Sequence, residues 1–165
     1  MDESHRQIRK IKLSKYYKLL IIMLLTLVLA PGLSSCNSKL SPEIRRNEAL
    51  WKSKHISNYD YRLDQSCFCP PNYKGPVDIQ VRNGETTSVT YTDSGQEADE
   101  PIFADASTFA NLFNVIEDAY IKKVYKLDVT YDAANGFPTR IYIDVLVGET
   151  DTPRIITITN FTVAR

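Results

Sequence analysis

The fold class this chain predicts is α+β: two helix-plus-three-strand units, with the helices packed on one side of a curved antiparallel sheet. Three observations predict it: a helix-period apolar stripe over residues 109–120, period-two alternation in several short segments, and hairpin turns in place of parallel crossovers. Ten tyrosines and many Thr, Val and Ile residues favour sheet as well.

The first segment stands outside that domain. Arg6, Arg9, Lys10, Lys12, Lys15 and Lys18 face only Asp2 and Glu3, and an apolar run from Leu19 to Ala30 follows. A membrane span needs roughly 20 apolar residues, and Pro31-Gly32 ends this run well short, so it reads as a signal peptide. Leu33-Ser34-Ser35-Cys36 then has the form of a bacterial lipoprotein processing site, where a small residue precedes the cysteine that is acylated and becomes the new N-terminus. Residues 1–35 are therefore expected to be removed, 36–41 to form a lipidated tether, and 42–165 to form one domain. Two palmitate-like chains on Cys36 hold stably where one holds only marginally. The expected address is the cell envelope, facing outside the cytoplasm. In a two-membrane cell it is the outer membrane, because Asn37 lacks the acidic character that goes with inner-membrane retention.

Within the domain, Ser41-Pro42-Glu43 supplies an N-cap, a proline at the first helical position and an early acid, predicting a helix over 42–54 with Ile44, Leu50 and Trp51 inward. From Tyr59 the period becomes two. Tyr59, Tyr61, Leu63, Cys67 and Cys69 share one face, and Asp60, Arg62, Asp64 and Ser66 the other, until Pro70-Pro71 ends the strand. Val77, Ile79 and Val81 begin a second strand, which Asn83-Gly84 turns through a type I′ hairpin into a third carrying Val89 and Tyr91. Residues 93–100 read as an acidic solvated loop, after which Asp105 or Ser107 can cap a helix. Phe109, Leu112, Phe113, Ile116 and Tyr120 give that helix its core stripe. Tyr125, Leu127, Val129 and Tyr131 alternate as a fourth strand, and Asp132 to Gly136 make a turn. A fifth strand over 137–147, a solvated connection at 148–153 and a last strand over 154–163 complete the order.

The leader holds six of the 20 basic residues and two of the 20 acidic ones, so 14 and 18 remain and the mature charge is −4. That balance offers no electrostatic footprint for nucleic acid.

The residues resemble a family of uncharacterised bacterial lipoproteins known only as a domain of unknown function, number 6174. The likeness rests on Trp51 in the first helix, Asn58-Tyr59-Asp60-Tyr61, Cys67-Phe68-Cys69-Pro70, and Tyr131-Asp132 through Gly136-Phe137-Pro138 followed by Ile141 and Asp144. It implies an envelope-associated α+β domain and brings no activity, cofactor or catalytic residue.

Once Cys36 is acylated, Cys67 and Cys69 form an even pair outside the cytoplasm, which points to a disulfide. Extended residues i and i+2 lie about 6.6 Å apart, at the outer edge of the bridging range, so closure requires a kink that Pro70-Pro71 helps to supply. So small a ring stabilises by only roughly 1.6 kcal/mol. The preferred reading is a structural disulfide beside Tyr61 and Leu63, and the alternative is a thiol redox or copper-handling pair. No basic residue in the segment lowers a thiol pKa. A zinc site lacks ligands, since His55 is the sole mature histidine and Asp60 and Asp64 belong to the other strand face. His55 reads as a helix-end residue, and Asp132, Asn135 and Gly136 as a turn instead of a calcium loop. Asp128 and Asp144 alternate outward. With no nucleophile elbow, phosphate loop or metalloprotease motif, the expectation is a non-catalytic module without cofactor or metal, held at the membrane through Cys36 and binding an envelope protein or peptide.

Overall fold

The computed structural model describes residues 40–73, 75–145 and 153–164. The expected signal peptide, the lipidation site Cys36 and most of the 148–153 connection lie outside the described residues. Helix α1 (Pro42–Ser53) leads into strand β1 (Tyr59–Ser66), a 3-10 turn at Pro71–Tyr73, β2 (Val77–Arg82) and β3 (Glu85–Tyr91). A short helix α2 (Glu100–Phe103), a 3-10 turn at Ala104–Ala106 and helix α3 (Phe109–Lys122) follow, then β4 (Lys126–Tyr131), β5 (Pro138–Asp144) and β6 (Arg154–Val163). The fold is α+β, built on an open six-stranded sheet in the order β3-β2-β1-β6-β5-β4 with every neighbouring pair antiparallel. Among the described residues no helix is long and apolar enough to cross a membrane.

Strand pairing gathers the inward residues on one face. Tyr61 lies opposite Ile79, Leu63 opposite both Val77 and Ile158, and Ile141 opposite Ile156. All are buried. Against them α3 buries Phe109, Leu112, Phe113, Ile116 and Ala119, and α1 buries Ile44 and Trp51. Phe109, fully buried, is the hub: it stacks on Phe137 at 4.6 Å and on Tyr59 at 4.9 Å, with the Trp51 ring edge-on at 4.9 Å. The two tyrosine hydroxyls do not go unpaired. Tyr59 Oη accepts from the Phe109 N–H at 3.1 Å and Tyr61 Oη donates to the Ala106 carbonyl at 2.6 Å, so strand β1 is pinned to the start of α3. Burial raises both phenol pKa values.

The opposite face is polar and paired. Arg62 grips Asp78 at 2.8 and 3.2 Å, and Arg82 meets Asp60 at 2.6 Å. Lys126 pairs with Asp128 at 3.2 Å and lies 5.1 Å from the centre of the Tyr142 ring.

Several expectations need correction. Strand β1 ends at Ser66, not at Cys69, because the chain bends there. The 93–100 segment is not simply a solvated loop: Tyr91 N–H bonds Gln96 O, Ala98 N–H bonds Val89 O, and Thr90 bridges Glu97, so it folds back along β3. The cap of α3 is Thr108, whose hydroxyl accepts from Asn111 N–H at 3.1 Å. Ser107 is occupied with the Ala104 carbonyl, and Asp105 with Arg154. Tyr120 is exposed and Ala119 takes its place in the buried stripe, while Tyr125 precedes β4 and is also exposed. The type I′ turn is present, with Asn83 at φ 54° and Gly84 at φ 81°.

Candidate functional site

The exit of β1 builds a polar cluster from four distant segments. Gln65, the last inward residue of β1, is buried in an otherwise apolar row. Its amide Nε2 donates to the Tyr73 carbonyl at 2.9 Å, and its Oε1 accepts from Arg154 Nε at 3.0 Å and Nη2 at 2.7 Å. Arg154, the first residue of β6, also donates from Nη1 and Nη2 to the two oxygens of Asp105 at 2.6 and 2.9 Å. This fork-to-carboxylate geometry fixes the guanidinium in orientation as well as position. The buried amide is thereby satisfied on both ends, as its burial demands.

Cys67 lies in the same cleft, a cavity of about 410 Å³ whose wall includes Gln65, Tyr73, Ile102, Asp105 and Arg154. Cys67 and Cys69 are both half-buried and their sulfurs are in close contact, with Cα atoms 5.2 Å apart. That separation is shorter than the roughly 6.6 Å of an extended i, i+2 pair, and the bend after Ser66 accounts for it. Phe68, between them, is 83% exposed and projects away from the core. The fold also supplies what the local segment lacks: a cation, Arg154, sharing the cleft with Cys67 although 87 positions away in sequence.

Asp105 and Arg154 are shared with a second and larger groove of about 860 Å³ between α3 and the ends of β5 and β6. Val115, Ala119, Val124, Ile143 and Val145 give it apolar walls. Asn111, Asn114, Asp118 and Lys122 stand along the helix side. Both charge signs and two side-chain amides therefore surround an apolar surface.

The remaining candidates are dispersed. His55 is exposed just beyond α1, at φ 52°, with its N–H on the Lys52 carbonyl. Asp132 Oδ1 accepts from the N–H groups of Ala134 and Asn135 at 3.1 and 2.7 Å, which is a turn function. Asp128 is exposed on the outer face with Lys126. Among the described residues no group of three His, Cys, Asp or Glu side chains is placed to hold a metal ion. Sequence reasoning missed the Gln65–Arg154–Asp105 cluster. Its one legible signal was Gln65 itself, a polar residue at an inward position of the alternation.

A family model described as a family of unknown function, DUF6174, matches residues 43–163, which span α1 through β6. No curated protein matches the chain. No solved structure matches it.

Proposed function

This chain belongs to the family of unknown function DUF6174, and from that premise, which names no activity, we propose a lipid-anchored cell-envelope protein whose non-catalytic domain binds a peptide segment of another envelope protein. Cys36 is its acylated residue and residues 36–41 its tether. We also read the element order as two helix-plus-three-strand units. The observation that carries the binding role is the groove between α3 and the ends of β5 and β6. Apolar walls suit an aliphatic side chain of the peptide, and the Asn114 amide suits its backbone. Mixed charge from Asp118, Lys122 and the Arg154–Asp105 pair suits a polypeptide better than a polyanion. A photoreactive residue placed at Asn114 should crosslink to one envelope protein in living cells, while the same residue at Glu85, on the far edge strand, should not. Equal labelling from both positions counts against the groove.

A second reading has its own observation, the close contact of Cys67 with Cys69 in a cleft that also holds Arg154. Here the two thiolates reduce a partner disulfide, passing it two electrons and becoming a disulfide themselves; copper(I) handling uses the same reduced pair. Titration of thiols in the native protein separates the readings. Two free thiols that exchange readily with glutathione support the redox role, and none supports the structural disulfide.

A further inference from the structure

We infer that the protein self-associates by pairing β4 of one copy antiparallel with β4 of a second copy, continuing the two six-stranded sheets into one. The inference does not depend on the groove reading above.

The two edges of the sheet are treated differently. The last residues of β3, Val89 to Tyr91, have their outer edge covered by their own chain, since Gln96 and Ala98 bond to Tyr91 and Val89 and Glu97 bridges Thr90. No described residue pairs with the outer edge of β4. An uncovered edge presents a row of unpaired backbone donors and acceptors, and proteins ordinarily protect such rows. Here the inward residues Leu127 and Val129 are only half-buried, and a groove of about 680 Å³ lies between Leu127 and the end of α3. Around it Tyr120, Ile121 and Tyr125 are 39%, 58% and 59% exposed, a cluster of large apolar groups at the mouth of an open strand edge.

The sequence of that strand specifies which partner fits. Lys126 and Asp128 both lie on the outer face and are exposed. When two copies run antiparallel with Leu127 opposite Leu127, Lys126 of each falls opposite Asp128 of the other. In the same register Tyr125 falls opposite Val129 on the inner face. Opposite charges across strands favour pairing and like charges oppose it, so the Lys-Leu-Asp triplet is complementary to itself. The Lys126–Asp128 contact of the single chain, at 3.2 Å between exposed side chains, is exchanged for two contacts of the same kind between chains. An unrelated strand has no such match built in.

Charge reversal tests this on the full-length acylated chain in detergent, with association read by sedimentation. Lys126→Asp alone and Asp128→Lys alone each place like charges opposite one another and should lower association at least about tenfold. Equimolar mixing of the two single variants should restore it, because each then supplies the charge the other lacks, and Lys126→Asp combined with Asp128→Lys should self-associate like wild type. As a second measurement, Leu127→Cys should give an oxidised dimer in membranes, and Asp64→Cys, on the outer face of the central strand, should not. A wild-type chain that remains monomeric, single variants that mixing fails to rescue, or a Leu127→Cys adduct to a different protein would each overturn the proposal.

Discussion

Phe109 touches Tyr59, Tyr61, Trp51, Phe137 and Phe161, so a single side chain joins both helices' aromatic residues to two strands and a turn. Phe109→Ala should cost about 3 to 5 kcal/mol, a large share of the roughly 5 to 15 kcal/mol that stabilise a domain. A denaturant melt with an unchanged midpoint would contradict that role. Asp78 gives a pH prediction. The hydrogen bond from Arg62 holds its carboxyl below the ordinary range, against a smaller opposing effect of burial. Its contribution is therefore fully present above the unfolded value of about 3.9 and is lost as pH falls through the lower folded value. Both side chains are substantially exposed, so the effect is modest. Asp78→Asn should lose less stability than wild type between about pH 5 and about pH 2, as read from paired urea melts. Phe109 and its stripe were legible in the sequence because helical period alone locates them. Arg154 was not, since nothing local tells an arginine at a strand start that Gln65 and Asp105 will meet it.

At the level of elements, the turn at 132–136 is locked onto α1. Gly136 has φ +84°, and a Cβ there would stand 2.5 Å from the Asn47 carbonyl oxygen and 2.9 Å from Leu50 Cβ. Gly136→Ala should thus destabilise by about 1 to 3 kcal/mol through backbone strain and displacement of α1, measurable as a lowered melting midpoint. A midpoint equal to wild type would show that the helix yields freely. The strands and both long helices were readable from period and turn chemistry, with β6 matching its expected span of 154–163. Short α2 and the two 3-10 turns were not readable, because three or four residues carry no period. The exit of β1 was misread for a related reason: alternation continues through Cys67 and Cys69, but the backbone bends once β6 stops pairing at Ser66.

For the whole molecule, the proposed anchor rests on Cys36, so Cys36→Ala should abolish fatty-acid labelling and leave the proposed leader uncleaved, as seen by metabolic labelling and gel shift. Unchanged labelling would remove the anchor from the proposal. The sheet order carries a consequence of another kind. Its central pair, β1 with β6, joins Tyr59 to Val163 and Ser66 to Ile155, residues about a hundred positions apart. β1, β2 and β3 form a meander that lacks its inner neighbour until β6 arrives, and Leu63 has no Ile158 to pack on. A chain emerging N-terminus first through a narrow export channel therefore cannot complete its core until residue 158 and its neighbours have cleared it. Loop closure over that length is slow and costs entropy before any contact rewards it. For a chain exported as proposed above, this strand order delays completion of the core until the last strand is released. A version stopped before Arg154 should stay protease-sensitive throughout, and pulse-chase protection of the complete chain should appear only after its last strand is released.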